Sequence, residues 1–213
     1  MKTLLTTIIL IFAILIAVPT FAQSDKEIKK DLKKKAMKDA RKEAKKLKKD
    51  GFKVAPGQLP MEKQIEDTWM KRMKTDDKGN KIWFVVDARA VGETHTAAKM
   101  QANEVAKINL ASAIGTEVKG IIKTNIANQQ LDATEAESLT QSIATFQSKV
   151  GAKIGRTTTL FEADRTIGKN IEIYNTIGYS YNDAMNLAKD FIRKDLEEKT
   201  KIQGEKLDKI LDF

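Results

Sequence analysis

Lys81-Ile-Trp-Phe-Val-Val-Asp-Ala-Arg-Ala-Val91, then Gly92, then an alanine-rich run from Thr94 to about Asn128, is the stretch whose reading decides the fold. Its first part alternates. Ile82, Phe84, Val86, Ala88 and Ala90 are all apolar, whereas Trp83, Val85, Asp87, Arg89 and Val91 are mixed. A period of two makes a strand with one face toward helices and the other toward solvent or a partner. The second part carries Ala97, Ala98, Ala102, Val105, Ala106, Leu110, Ala113, Ile114, Val118, Ile121 and Ile122 at helical spacing. Small residues on that face let a helix lie close to a sheet. Thirty or so residues make roughly 45–50 Å of helix, and Gly115 and Gly120 are places where it would bend or break.

Downstream, Asp132-Ala-Thr-Glu135 predicts a capping box that opens a second helix to about Val150. The many Thr, Gln and Ser residues in it suggest a mostly exposed element. Two strands follow, Lys153–Arg165 and Ile171–Ser180, with Ile167-Gly-Lys-Asn170 as the hairpin turn. A last helix opens at Asn182-Asp183 with Ala184, Leu187, Ala188, Phe191, Ile192 and Leu196 on one face, and Gly204 interrupts it. Upstream, Phe52-Lys-Val54 is a short strand, Ala55-Pro-Gly57 a turn, and 60–74 an amphipathic helix through Met61, Ile65, Trp69 and Met73. The expected fold is therefore α+β: a two-layer domain over 81–213, an antiparallel sheet of three to four strands with helices on one face. The strand–helix element at 51–80 joins it.

The first residues have the pattern of a secretion signal: Lys2, an apolar run over Leu4–Val18, Pro19, then Thr20-Phe-Ala22. Cleavage after Ala22 is expected, with export to the periplasm or cell envelope. The chain contains no cysteine, which excludes a disulfide framework, a thiol nucleophile and a cysteine-linked lipid anchor.

Charge is unevenly placed. Residues 25–50 carry thirteen Lys/Arg and six Asp/Glu, a net of +7, whereas residues 51–213 are close to neutral. The arm over 23–50 reads as one long basic helix with a thin stripe of Ile28, Leu32, Ala36, Ala40, Ala44 and Leu47, stopped by Gly51. Its candidate anion-binding residues are Lys29, Lys30, Lys33, Lys34, Arg41, Lys42 and Lys45, suited to phosphates of a glycolipid or to anionic phospholipid head groups. Nucleic acid is disfavoured, since the arm has no aromatic for base stacking and the chain reads as exported. Trp83, Val85, Asp87 and Arg89 make the candidate partner-facing strand.

Catalytic signals are sparse. His95 is the only histidine and no nucleophile elbow accompanies it. Neither a metal site nor a cofactor site is expected; Asp76, Asp77 and Asn80 are fragments of a calcium loop that lack its spacing and terminal Glu. A carboxylate enzyme would have to draw on Asp87, Glu93, Glu162 or Asp164.

The strand ending Ala88-Arg-Ala-Val-Gly92, followed by Ala98, Gln101-Ala102, Ala106, Leu110-Ala111, Ile114 and Val118, resembles the family of small bacterial envelope proteins typified by the twenty-kilodalton surface lipoprotein. It is also similar to the N-terminal domain of a periplasmic flagellar-ring accessory protein. Gly51-Phe-Lys-Val-Ala-Pro-Gly57, Leu59-Pro-Met-Glu62 and Trp69 resemble the upstream part of related proteins. The resemblance implies a module of strand, alanine-spaced helix, hairpin and closing helix over about two-thirds of the mature chain. It also implies a non-enzymatic, envelope-associated role, in some members as part of a larger assembly. Export, the lack of catalytic motifs and the basic arm on a neutral domain make an envelope protein the expected partner, with a homo-oligomer also open. This chain departs from the lipoprotein members in lacking the lipidated cysteine.

Overall fold

The computed structural model describes residues 25–77, 79–126, 131–199 and 205–212. The signal-like segment over 1–22 lies outside them. In order, the elements are α1 (Asp25–Lys49), α2 (Met61–Met73), β1 (Trp83–Gly92), α3 (His95–Ile126), α4 (Ala133–Lys153), β2 (Thr158–Ile167), β3 (Asn170–Ser180), α5 (Tyr181–Lys199) and α6 (Glu205–Ile210). The strands form one antiparallel sheet in the order β1-β3-β2. The fold is α+β, as the residue pattern implies. Among the described residues, no helix is long and apolar enough to cross a membrane.

The hairpin turns where expected. Ile167 pairs with Asn170, and Gly168 takes a positive φ of 60° at the first central position, the arrangement of a type II′ turn. β3 is thereby central and buried along most of its length. Gly92 is needed for a different reason: a Cβ there would lie 2.6 Å from the backbone nitrogen of Ala98, so only glycine lets the strand turn directly into α3.

α3 runs unbroken through Gly115 and Gly120, about 48 Å by its length. Glycine at 115 makes room for α4, since a Cβ there would collide with the side chain of Gln147. The N-terminal half lies on the sheet through Ala98 and Ala102, both against Ile173 with Ala90 and Ile171 beside them. The C-terminal half, through Ile114, Val118 and Ile122, joins the main core with Leu139, Phe146, Ile192, Leu207 and Ile210. Asn125 also donates to the backbone oxygens of Ile210 and Asp212, fixing α6.

The capping box on α4 forms in both directions, Asp132 accepting from Glu135 N at 2.8 Å and Glu135 accepting from Asp132 N at 3.0 Å. The helix is less exposed than its polar composition suggests. Leu139, Ser142, Ile143, Phe146 and Val150 are buried, and Ser142 reaches Asp195 on α5 at 2.5 Å. A hydroxyl on a buried stripe is tolerated when it has such an acceptor.

The expected helices on one face are α3, α4 and α5, over Phe84, Ala88 and Ile177. The opposite face is also covered. Phe161, Ala163 and Tyr174 project there and pack with Phe52, Met61 and Ile65, joined by Ala40, Ala44 and Leu47 of α1. The chain divides into compact units after Lys35, not at the end of the basic helix. Before that point, Lys30, Lys33, Lys34 and Lys35 are exposed on helical backbone. After it, the helix belongs to the domain. Gly51, at φ 91°, ends it with a paired motif: Phe52 N bonds to Leu47 O and Gly51 N to Lys48 O. That turn aims Phe52 into the core. Lys53 then makes a two-way backbone bridge to Asp164, so the short strand expected at 52–54 is one bridge on the outer edge of β2.

Candidate functional site

The mixed face of β1 is where chemistry-bearing side chains gather. Register places Asp87 beside Thr176 and Arg89 beside Tyr174 on β3. Asp87 Oδ1 accepts from Thr176 Oγ1 at 2.7 Å, and one guanidinium nitrogen of Arg72 donates to both carboxylate oxygens at 3.0 and 2.9 Å. Arg89 lies 4.2 Å over the Tyr174 ring and 5.4 Å from the Phe52 ring centre. Lys71 sits 4.0 Å over Trp83. Trp69 donates from Nε1 to Glu43 at 3.0 Å. Burial, and then the Asp87 and Glu43 carboxylates, raise the Tyr174 hydroxyl above the usual phenol range. The space left between Glu43, Trp69, Arg72, Asp87, Tyr174 and Thr176 is about 10 Å³, room for about one water.

The side chains of Trp83, Asp87 and Arg89, expected to face solvent or a partner, therefore meet α2 and the Tyr174–Phe52 ring pair within the chain. Sequence reasoning missed Glu43, Arg72, Tyr174 and Thr176, which complete the cluster. One signal was available: Glu172, Asn175 and Thr176 are polar residues inside an otherwise apolar central strand, and all three are buried. Glu172 is held by Arg165 at 2.6 Å. Asn175, on the opposite face, donates to Asn103 at 2.6 Å, and its own Oδ1 has no partner among the described residues.

No protein-family model, curated protein or solved structure matches this chain.

The candidate anion-binding residues fall into two groups. Lys30, Lys33 and Lys34 are exposed, and the side chain of Lys29 lies outside the described residues. Arg41, Lys42 and Lys45 are exposed on the side of α1 opposite Ala40, Ala44 and Leu47, which are at most 3% exposed. Their backbone is thus anchored while their cationic ends reach solvent. Lys42 makes a long ion pair with Asp39 at 3.7 Å. Lys48, one turn on, is committed within the domain: it binds Glu62 at 2.6 Å, and that hydrogen bond holds the Glu62 carboxyl below its usual range.

The four carboxylates considered for acid–base work are not brought together. Asp87 lies on one face of the sheet, and register puts Glu162 and Asp164 on the other. Glu162 pairs with Lys99 at 2.8 Å, Asp164 lies 3.9 Å from His95 Nε2, and Glu93 sits exposed in the β1–α3 connection. Among the described residues, no group of three or more His, Asp or Glu has the placement to hold a metal ion.

Proposed function

We propose that this chain is an exported cell-envelope protein that acts by holding another macromolecule and carries out no catalysis. One observation carries the reading. The polar side chains that converge on the sheet satisfy one another around a space of about 10 Å³, so the cluster clamps α2 to β1 and β3 and leaves no room for a substrate. Among the described residues, two larger spaces are open surface grooves, about 450 Å³ beside Lys48, Phe52 and Met61 and about 390 Å³ beside Lys153, Phe191 and Lys194. Export rests on the signal-like pattern of residues 1–22. The envelope setting rests on the resemblance of the strand–helix stretch to the small envelope proteins. An envelope protein is the expected partner.

A second reading has its own support. Arg41, Lys42 and Lys45, presented outward from an anchored helix, suit the phosphates of a glycolipid or of anionic phospholipids. The test is crosslinking in living cells followed by mass spectrometry, with the native chain compared to a variant in which Arg41, Lys42 and Lys45 are all changed to Gln. Deleting the arm would be the wrong control, because Ala40, Ala44 and Leu47 are core residues. Capture of the same envelope protein by both forms supports the assembly reading. Loss of a lipid or glycan partner in the variant alone transfers the function to the basic helix. A chain that captures nothing in either form overturns both. Cell fractionation, with N-terminal sequencing for Gln23, checks location separately.

A further inference from the structure

β1 is an edge strand, and its outer edge is defined by the pairing on the far side of the sheet. Asp164 bonds outward to Lys53 through both its backbone groups, so its β3 partner Ile173 turns its own N–H and C=O toward Ala90 of β1. By alternation, Ala88 and Val86 also bond to β3, and Val85, Asp87, Arg89 and Val91 point their backbone groups away from the sheet. Among the described residues, one bond reaches that edge: Asn109 Nδ2 donates to Asp87 O at 2.8 Å. The opposite edge of the sheet is better closed, by the Lys53 bridge and by Gln64, whose Oε1 accepts from Glu162 N at 3.3 Å.

We infer that this edge is a self-association surface, on which β1 of a second copy pairs antiparallel to give a continuous six-stranded sheet. The inference goes beyond the reading above and stands whether or not an envelope protein is bound. Charge selects the register. With the two-fold axis at Ala88, Asp87 of one copy lies opposite Arg89 of the other, and Val85 lies opposite Val91. Shifting each strand to the neighbouring hydrogen-bonded registers sets Asp87 against Asp87 or Arg89 against Arg89, which is unfavourable for directly opposed like charges. In the favoured register the second copy's Arg89 N–H takes over Asp87 O from Asn109.

The flank of the edge fits the same partner. Val105 lies one helical turn before Asn109 on α3, and Ile108 is its neighbour; Ile108 is 64% exposed and Val91 is 45% exposed. Among the described residues nothing covers Val105 and Ile108, which would meet their equivalents across the axis, whereas Val91, on the other face of the sheet, would meet Val85 of the second copy. Space permits it. α3 buries Ile173 and Ile177 of β3 as well as Ala88 of β1, so it lies inboard of the edge. With strands about 4.8 Å apart, an axis between β1 and β3 puts the two α3 helices about 9–10 Å apart, a normal packing distance.

The absence of cysteine makes the test direct. The chain as recovered from expressing cells is examined by sedimentation across the micromolar range, beside Ile108→Lys, whose exposed position leaves the fold intact. A dimer is expected, weakened by about tenfold or more in the variant. Single variants Val85→Cys and Val91→Cys are then mixed and oxidised. Opposed positions in a hydrogen-bonded pair have Cα atoms about 5.5 Å apart, within disulfide reach, so the mixture should crosslink and Val91→Cys alone should not. A chain that stays monomeric, a dimer indifferent to Ile108→Lys, or crosslinking of Val91→Cys with itself would overturn the inference.

Discussion

On one face of the sheet, Phe84, Ala88 and Ile177 meet Leu110, Ile114, Phe146 and Ile192, an aliphatic and aromatic core. On the other, Phe161, Ala163 and Tyr174 meet Phe52, Met61 and Ile65, and this smaller core is fringed by Glu43, Arg72, Asp87, Arg89, Arg165 and Glu172. The difference shows two ways of attaching a helix to the same three strands. The first is by area: non-directional burial tolerates many residue choices and is worth roughly 25 cal/mol per Å². The second adds direction. The thirteen-residue α2 buries Met61, Gln64, Ile65 and Thr68, and Arg72 on Asp87 and Lys48 on Glu62 hold its two ends.

Removing one side chain from each face tests that contrast. Phe146 is 0% exposed and lies 5.6 Å from Phe191, so Phe146→Ala should cost about 3–5 kcal/mol in urea denaturation, the range for a fully buried aromatic. A loss as small as that of a surface change would mean the apolar face is not the main core. Asp87→Ala comes second. It leaves the Thr176 hydroxyl, 2% exposed, without its acceptor and frees Arg72, and about 1–2 kcal/mol is expected because Asp87 itself stays in contact with water. Protease susceptibility should rise in α2 before it rises in α3; equal susceptibility would erase the distinction between the faces.

The smallest effect depends on pH. Lys48 lowers the folded-state pKa of Glu62, so the carboxylate adds stability above its unfolded pKa, and that increment is lost as pH falls through the lower folded value. Glu62→Gln should therefore reduce stability at neutral pH by about 0.2–1 kcal/mol, as for exposed pairs, and the gap to the native chain should close in acid. A gap that persists at low pH would assign the loss to packing rather than to charge.

Legibility in the sequence follows the same contrast. β1 and α3 could be read because their apolar residues repeat at periods of two and about 3.6, and each period is a property of one segment. The capping box at Asp132 and Glu135 and the Gly51 stop are similarly local. The buried stripe of α4 was under-read, since Ser142 counts as polar until Asp195 on another helix is seen to accept its hydroxyl proton. The cluster around Asp87 was not legible. Glu43, Trp69, Arg72, Tyr174 and Thr176 come from three separate parts of the chain, and nothing in any one of them names its partners.

By itself, the sequence determined the α+β class, the place of the hairpin, the start of α4 and the concentration of positive charge in the first helix. All of these depend on neighbours within a few positions, where backbone geometry and side-chain period act. Tertiary structure decided that Ala40, Ala44 and Leu47 make the end of the basic helix part of the core, that the mixed face of β1 is filled by α2, and that among the described residues its outer edge takes one bond, from Asn109. Those outcomes depend on which surfaces meet when the chain closes, and burial acts on whole surfaces without regard to their separation in sequence.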